Sequence, residues 1–354
     1  MYSVIKDAVI QLLPPKRKST NTWISFNAVC CQHNGESADR RGRGGVRPNA
    51  DGSVSYHCFN CGFKTGYQPG RPLGYRFKKL LDWLGADENT IQRLSFEAMR
   101  VKELVAPASA PERVREQIEF KPRPLPDNSA TVMQWASMIA EAGDNYVIPS
   151  QVNHAVEYLH QRKIDVNERD FYITEETAYN LHKRIIIPFH WKNQIIGYTA
   201  RAFDNTVRPK YHNSHDANFV FNTDRQKNRA FVIVVEGPID ALQIDGVAVL
   251  GNECSDQQAD IINSLHDNII VVPDFDVHIN EKTKKKVWPG RELIDTALDN
   301  GWSVSFPVWH EQYKDVADAI EHLGKLFVLK SILDAQETSA LKIELLTKKI
   351  YNKL

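Results

Sequence analysis

The sequence predicts a multidomain protein of mixed α/β and α+β class, with an N-terminal zinc ribbon followed by a core that ends in a parallel-sheet module. Three observations predict it. Four of the five cysteines fall between positions 30 and 61, five prolines punctuate residues 106–130, and from residue 230 onward apolar strand-like runs alternate with helical patterns. A length of 354 residues leaves room for two or three domains at roughly 100 to 200 residues each.

Taken in order, residues 22–29 and 54–56 are rich in β-formers and aromatics, and each run enters a cysteine-containing turn, the pattern of a zinc ribbon. Residues 77–84 and 89–99 are amphipathic and close this first unit, 1–100. In 101–130 the prolines at 107, 111, 122, 124 and 126 disfavour continuous helix, so an extended, semi-rigid linker is expected. The segment 131–229 opens with helical patterning at 131–142 and 151–162 and changes to strands at 184–189 and 194–202.

Within 230–320 the order is strand 231–235, helix 239–245, strand 247–250, helix 256–265, strand 269–273, helix 291–300 and strand 303–307. Continuous apolar strands separated by helices predict a buried parallel sheet. Residues 321–354 read as two helices, with Leu341, Leu345 and Ile350 near one face that is expected to pack.

Composition sets outer bounds. Hydrophobic residues make up 42% and charged residues 25%, which excludes a wholly disordered or fibrous chain. The apolar runs 231–235 and 269–272 are far shorter than the roughly 18 residues of a membrane span, and no signal-peptide pattern opens the chain, so a cytoplasmic location without membrane contact is expected. The 44 basic and 44 acidic residues cancel, yet residues 1–80 carry 13 Lys/Arg against 4 Asp/Glu. Trp23, Phe26, Tyr56 and Phe59 are interleaved with those cations. A polyanion is therefore expected to meet the N-terminal part.

Cys30-Cys31-Gln32-His33 and Cys58-Phe59-Asn60-Cys61 each place two ligands three residues apart, the spacing by which one knuckle supplies two corners of a tetrahedron. The expected ligands of one structural Zn²⁺ are Cys30, His33, Cys58 and Cys61. Cys31 competes with Cys30, but a single residue separates it from His33, so Cys30 is preferred. Clustering in a cysteine-poor chain argues for metal rather than disulfides. Between His33 and Cys58 lies a glycine-loosened arginine loop whose Arg41 and Arg43 suit phosphate contact. Cys254 has no evident partner and reads as a buried small hydrophobe.

Glu236-Gly237-Pro238-Ile239-Asp240 follows an apolar strand, and Pro at a first helical position makes an abrupt strand-to-helix turn. Asp274 and Asp276 follow another strand at i and i+2 and face one side. Asp315 and Asp318 follow the next. Open α/β sheets bind ligands at that edge, and converging carboxylates call for Mg²⁺ or Mn²⁺. Phosphatases and receiver domains share acids at strand ends, so the pattern alone points to metal-assisted phosphoryl chemistry in general.

The Glu-Gly-Pro-Ile-Asp run, the Asp-Phe-Asp pair and Lys314-Asp315-Val316-Ala317-Asp318 resemble, in order and spacing, the TOPRIM module of primases and topoisomerases. Cys30-x-x-His33 with residues 56–62 resembles the zinc-binding domain of bacterial-type (DnaG-like) and tailed-phage DNA primases. Arg184 to Phe189, Gly197 to Arg201 and Pro209-Lys210-Tyr211 are similar to basic motifs of the primase polymerase core. The resemblance spans residues 30 to 318. It implies a DNA primase, a DNA-directed RNA polymerase that makes short RNA primers on single-stranded DNA during replication. Glu236, Asp274 and Asp276 would hold Mg²⁺, Asp240 and Asp315 would assist, and Arg184, Arg201 and Lys210 would contact template and incoming nucleotide. The partners implied are single-stranded DNA, ribonucleoside triphosphates and a separate replicative helicase, since no P-loop sequence occurs and the tail after 320 is short, as in the compact phage type. Two other readings share these features: a TOPRIM nuclease or topoisomerase-like enzyme, and a non-catalytic zinc-dependent DNA-binding replication factor. Metal-dependent ribonucleotide incorporation separates the primase from the binding factor, and a topoisomerase needs a catalytic Tyr in a large strand-passage gate for which 354 residues leave no room.

Overall fold

The computed structural model describes residues 4–20, 22–105, 118–143, 147–167, 169–174, 181–251, 253–279, 281, 284 and 286–354, with 102, 103 and 105 described by backbone alone. It divides into two compact units, Met1–Ala110 with Asp295–Trp302, and Pro111–Ile294 with Ser303–Leu354.

The first unit opens with a helix, α1 (Val4–Leu12), for which the sequence reading had no element; its buried Ile5 and Val9 sit one helical turn apart. A five-stranded antiparallel sheet follows in chain order: β1 (Arg17–Ser19), β2 (Ile24–Phe26), β3 (Gly44–Pro48), β4 (Val54–Cys58) and β5 (Lys64–Tyr67). Val54, Tyr56 and Cys58 of β4 are buried and alternate with less buried neighbours, the period of two that one covered sheet face imposes. The expected strand 22–29 is only three residues long. Beyond Phe26 the chain leaves the ladder, because Asn27 and Ala28 are bonded to the arginine loop instead: Gly42 N–H donates to Asn27 Oδ1 at 3.0 Å and Ala28 N–H to Asp39 Oδ2 at 2.9 Å. Helices α2 (Tyr75–Trp83) and α3 (Glu88–Val105) bury Phe77, Leu80, Leu81 and Leu94 in one core with Phe26 and Tyr56.

The second unit holds two sheets. The first comprises β6 (Ser129–Thr131), then, after helices α4 (Val132–Ala142) and α5 (Ser150–Gln161), β7 (Tyr172–Thr174), β8 (Arg184–Trp191), β9 (Gln194–Ala202) and β10 (Tyr211–Ser214), antiparallel in the order β10-β9-β8-β7-β6. Thr131 and Gln134 form a reciprocal capping box that starts α4. The linker expected over 101–130 does not hold at its described ends: residues 101–105 continue α3, and 118–130 pack on the second unit, while 106–117 lie outside the described residues. Residues 129–131 are a paired strand, Arg123 N–H donates to Ile195 O at 3.1 Å, and Phe120 lies edge-on against Trp191 and Phe219 at 5.1 and 5.4 Å. Prolines block helix there, but the gain from burying an aromatic ring holds the extended chain against the unit. The prolines at 107 and 111 lie outside the described residues.

The second sheet has the order β12-β11-β13-β16-β17. From β11 onward the chain runs β11 (Val232–Val235), α6 (Pro238–Ile244), β12 (Val247–Ala248), α7 (Asp256–Asn263), β13 (Ile269–Val271), the hairpin β14 (His278–Ile279) and β15 (Lys286–Val287), α8 (Gly290–Asn300), whose residues from Asp295 on belong to the first unit, β16 (Ser303–Ser305), α9 (Val316–Leu323), α10 (Lys325–Asp334), β17 (Gln336–Glu337) and α11 (Ala340–Lys353). β12, β11, β13 and β16 are mutually parallel, as expected, and every residue of β11 and β13 is buried. β17 adds an antiparallel edge, so the tail carries a strand as well as helices. Ile350 packs, but Leu341 and Leu345 are 66% and 58% exposed. They do not share its face: five residues of helix turn a side chain about 140° away. Cys254 is half-buried with its thiol 3.6 Å from Ser255 O. Among the described residues no helix is long and apolar enough to cross a membrane.

Candidate metal centre and candidate active site

In the first unit β4 delivers Cys58, and Gly62 reverses the chain at φ +75°, its N–H donating to Cys58 O at 3.0 Å. A positive φ favours glycine. That turn brings Cys61 back beside Cys58. The ligand atoms of Cys30, Cys31, Cys58 and Cys61 all lie within 4.8 Å of one another, with Sγ to Sγ distances of 3.4 Å for Cys30 and Cys61 and 3.6 Å for Cys31 and Cys58. Zn–S bonds of about 2.3 Å at tetrahedral angles need sulfurs about 3.8 Å apart, so four thiols in this arrangement fit zinc.

His33 is the corrected residue. Its imidazole is exposed and stacks on Trp83, centroids 4.6 Å apart at 10°. Spacing alone favours Cys30 with His33; the local backbone decides for Cys30 with Cys31. Cys31 takes helical angles (φ −60°, ψ −46°) at the start of a 3-10 turn, Gln32–Asn34, and both of the adjacent thiols turn inward and are fully buried.

A polar shell holds the sulfurs. The Tyr56 hydroxyl lies 3.1 Å from Cys30 Sγ, and Asn60 Nδ2 donates to Cys31 Sγ at 3.3 Å. Arg43 Nη1 donates to Asn60 Oδ1 at 2.6 Å and its Nε to Asp39 Oδ1 at 2.9 Å. Arg43 is therefore a brace for the metal knuckle rather than a free phosphate contact, a second correction. Burial alone would raise the Asp39 carboxyl, but N–H donors from Ala28, Arg41 and Arg43 and the Arg43 guanidinium hold it well below the usual carboxylate range. Arg41 remains exposed, as do Arg40 and Arg47, and the Phe59 ring is 69% exposed. Cations and a bare aromatic ring are the elements of a single-strand contact surface.

In the second unit the parallel sheet brings its carboxyl ends to one edge. Glu236 follows β11, Asp240 sits in the first turn of α6, Asp274 and Asp276 follow β13, and Asp315 caps α9, accepting from Asp318 N–H at 2.7 Å. A Cβ at Gly237 would stand 2.6 Å from Asp240 Oδ2, so a larger residue there would displace that carboxylate. Glu236 Oε1 accepts from Asp274 N–H at 3.1 Å, and Asp240 Oδ1 from Ala317 N–H at 2.8 Å. The ladder of β13 stops at Val271. What fixes the acids beyond it is Phe275, which packs on Trp288, Trp309 and His310, while Trp288 Nε1 donates to Asp274 O at 2.6 Å. This aromatic pin was not legible as part of the site.

Burial, then repulsion from Asp276, Asp240 and Asp315, pushes Glu236 up to about 7 even though the Asp274 N–H opposes it. Burial and Asp315 push Asp240 up to about 7, and burial with Asp240 and Glu236 raises Asp274 well above its ordinary value. These groups stand in a site short of positive charge, and carboxylate oxygen is the donor type that Mg²⁺ or Mn²⁺ takes, although among the described residues only the four thiols have ligand atoms all within 4.8 Å of one another.

β9 and β10 of the other sheet supply cations to the same edge. Tyr211 pairs across the ladder with Arg201, whose guanidinium lies 4.7 Å from the Tyr211 ring centroid. Arg201 Nε donates to Tyr158 OH at 3.1 Å, while its Nη1 is buried with no partner among the described residues. Burial raises Tyr211, with Asp240 and Asp274 among the charges acting on it. Burial, then Arg201 and Lys314, lower Lys210, and Asp315 and Asp240 oppose them. Arg184 is a third correction. It is 1% exposed and donates to Ala200 O at 3.1 Å, Lys210 O at 3.2 Å and Pro209 O at 2.6 Å. It cannot reach a template; it anchors the backbone that carries Lys210 and Tyr211.

No protein-family model and no curated protein sequence matches the chain. Its structure is similar to several solved ones. The DnaG catalytic core is 16% identical, with 62% of this chain and 84% of that chain covered and a TM-score of 0.45. The zinc-binding and RNA polymerase domains of the Aquifex aeolicus primase are 18% identical, covering 94% of this chain and 83% of that one at a TM-score of 0.41. A DnaG primase catalytic domain bound to single-stranded DNA is 15% identical, covering 62% and 83% at 0.42.

Proposed function

We propose that this chain is a DnaG-like DNA primase with a TOPRIM catalytic module, synthesising RNA primers on single-stranded DNA. The observation that carries the reading is the meeting, inside one unit, of Lys210, Tyr211 and Arg201 with carboxylates whose protonation is raised by burial and then by one another's charge. Acids that hold divalent cations beside cations that hold phosphate are the two halves of a nucleotidyl-transfer site. The motif order in the sequence supports the same class, and the four-cysteine centre supports a zinc-stabilised DNA-binding unit.

Asp274, Asp276 and Glu236 would hold Mg²⁺ or Mn²⁺, which when bound polarises the α-phosphate and lowers the pKa of the attacking 3′-hydroxyl. Glu236 is held against the Asp274 N–H, so its carboxylate enters the site in one orientation. Asp240 and Asp315 fix the helices that carry the edge. Arg201 and Lys210 offset the charge of template phosphate or incoming triphosphate. Ribonucleoside triphosphates are the substrates, and a replicative helicase is the partner that would deliver the strand. The test is incorporation of labelled ribonucleotides on single-stranded templates with Mg²⁺ and then with EDTA: short, metal-dependent RNA products are expected, and their absence with every template and added helicase would sink the proposal.

A further inference from the structure

Between α5 and the ends of β8 and β9 lies an open pocket of about 280 Å³ that none of the roles above uses. Its aromatic walls are His154 and Phe203, ring centroids 6.4 Å apart, with Tyr158 completing the lining. Its polar rim is made by Glu157 and Gln161 together with Lys183 and Asp204, which are paired at 2.5 Å. At about 30 Å³ per water the space corresponds to about nine waters, enough for a heterocyclic base with its exocyclic groups. Two flat rings beside amide, ammonium and carboxylate groups offer what a nucleobase needs: a stacking face and both kinds of hydrogen-bond partner.

The location supports the same ligand. Tyr158 lines the pocket, and its hydroxyl takes the Nε–H of Arg201, whose Nη1 is buried and unpartnered. A buried guanidinium donor without a partner is costly, and a phosphate oxygen is an acceptor that would satisfy it. Arg201 in turn lies over Tyr211, next to the acidic edge. The pocket and the phosphate donor are thus joined by direct contact through Tyr158, and the carboxylates lie near enough to act on Tyr211 by charge.

We propose that this pocket receives one nucleobase, stacked on Phe203 beside His154, from a nucleotide unit whose phosphate meets Arg201. The inference deepens the primase reading and rests on it for the source of the base, which is either the template strand or the incoming triphosphate. It is independent of that reading as a statement about binding.

The experiment uses the full chain. Anisotropy would measure affinity for a labelled single-stranded oligonucleotide and for an abasic strand of equal length; calorimetry would compare ATP and GTP with inorganic tripolyphosphate. Phe203→Ala is expected to weaken binding of the base-bearing ligand about tenfold and to leave the abasic strand and tripolyphosphate unchanged, with Phe203→Tyr restoring affinity. Loss confined to the strand assigns the pocket to the template, and loss confined to ATP or GTP assigns it to the incoming nucleotide. Unchanged binding of both, or equal loss for ligands with and without bases, overturns the proposal. Should Phe203→Ala unfold, exposed His154 carries the same comparison as His154→Ala. Wild-type ribonucleotide incorporation is scored separately: its failure removes the primase reading, whereas base-independent binding removes only the pocket.

Discussion

Asp240 and Ala317 are joined by a 2.8 Å hydrogen bond from the Ala317 N–H to the Asp240 carboxylate across 77 residues of sequence. The bond ties the first turn of α6 to the first turn of α9, so the acids that follow β11 and β16 are held in one frame. Asp240 is thus a positioning carboxylate as well as a source of the field that raises its neighbours.

From that division of labour, Asp274→Ala and Glu236→Gln are expected to lower ribonucleotide incorporation at least about 100-fold, with melting temperatures unchanged or raised because a repelled carboxylate has been removed. Asp240→Asn keeps the acceptor for Ala317 and should lose about tenfold. Incorporation assays with parallel circular-dichroism melts would check this; near-wild-type rates in Asp274→Ala would remove the metal assignment.

The raised carboxyls also set a pH dependence of stability. Glu236 and Asp240 move from ordinary carboxyl values up to about 7 in the folded chain, so the native state keeps protons that the unfolded chain has released. Stability from these groups is full below about pH 4, declines between about 4 and 7, and is flat above, a loss on the order of a few kcal/mol. Thermal unfolding in EDTA should show the decline, and Mg²⁺ at pH 8 should reverse it by binding the native state. A midpoint independent of pH over this window would contradict the crowding.

At the metal centre, Cys31→Ser is expected to lose bound zinc while His33→Ala retains one ion per chain, read by metal analysis after dialysis. Removing one of four ligands commonly costs a structural site its stability. Zinc lost from His33→Ala and kept by Cys31→Ser would restore the ligand set that spacing favours.

Arg184 and Arg201 should separate cleanly. Arg184→Met removes three hydrogen bonds to backbone carbonyls and is expected to destabilise the chain by about 3 kcal/mol; Arg201→Met should melt closer to wild type but bind single-stranded DNA more weakly. Equal melting and equal loss of binding in the two variants would contradict their different environments.

Much of this was legible in the amino-acid order. The parallel strands could be read because buried runs such as Val232–Val235 are apolar on both faces, and the acids because strand ends in such sheets share an edge. The knuckle was half legible: cysteine spacing located it, but the choice between Cys31 and His33 depends on backbone angles that spacing does not contain. Arg184 and Arg43 were misread for one reason. A sequence shows a cation but not the carbonyls or carboxylate that already hold it. Packing between distant segments, such as Phe275 on Trp309 or Phe120 on Trp191, leaves no local signature.

The order of the parallel sheet also governs when the acidic edge can exist. Glu236 bonds a backbone group 38 residues later and Asp240 one 77 residues later, and parallel neighbours cannot pair until the crossover between them is made. Such non-local contacts form late in folding. A nascent chain therefore completes its thiol centre, closed within residues 30–61, from local sequence alone, while the carboxylates stay dispersed until α9 has been synthesised. The acidic edge is therefore gathered later than the thiol centre, and a chain interrupted before Ala317 would carry every acid up to Asp315 without the bond that ties Asp240 to α9.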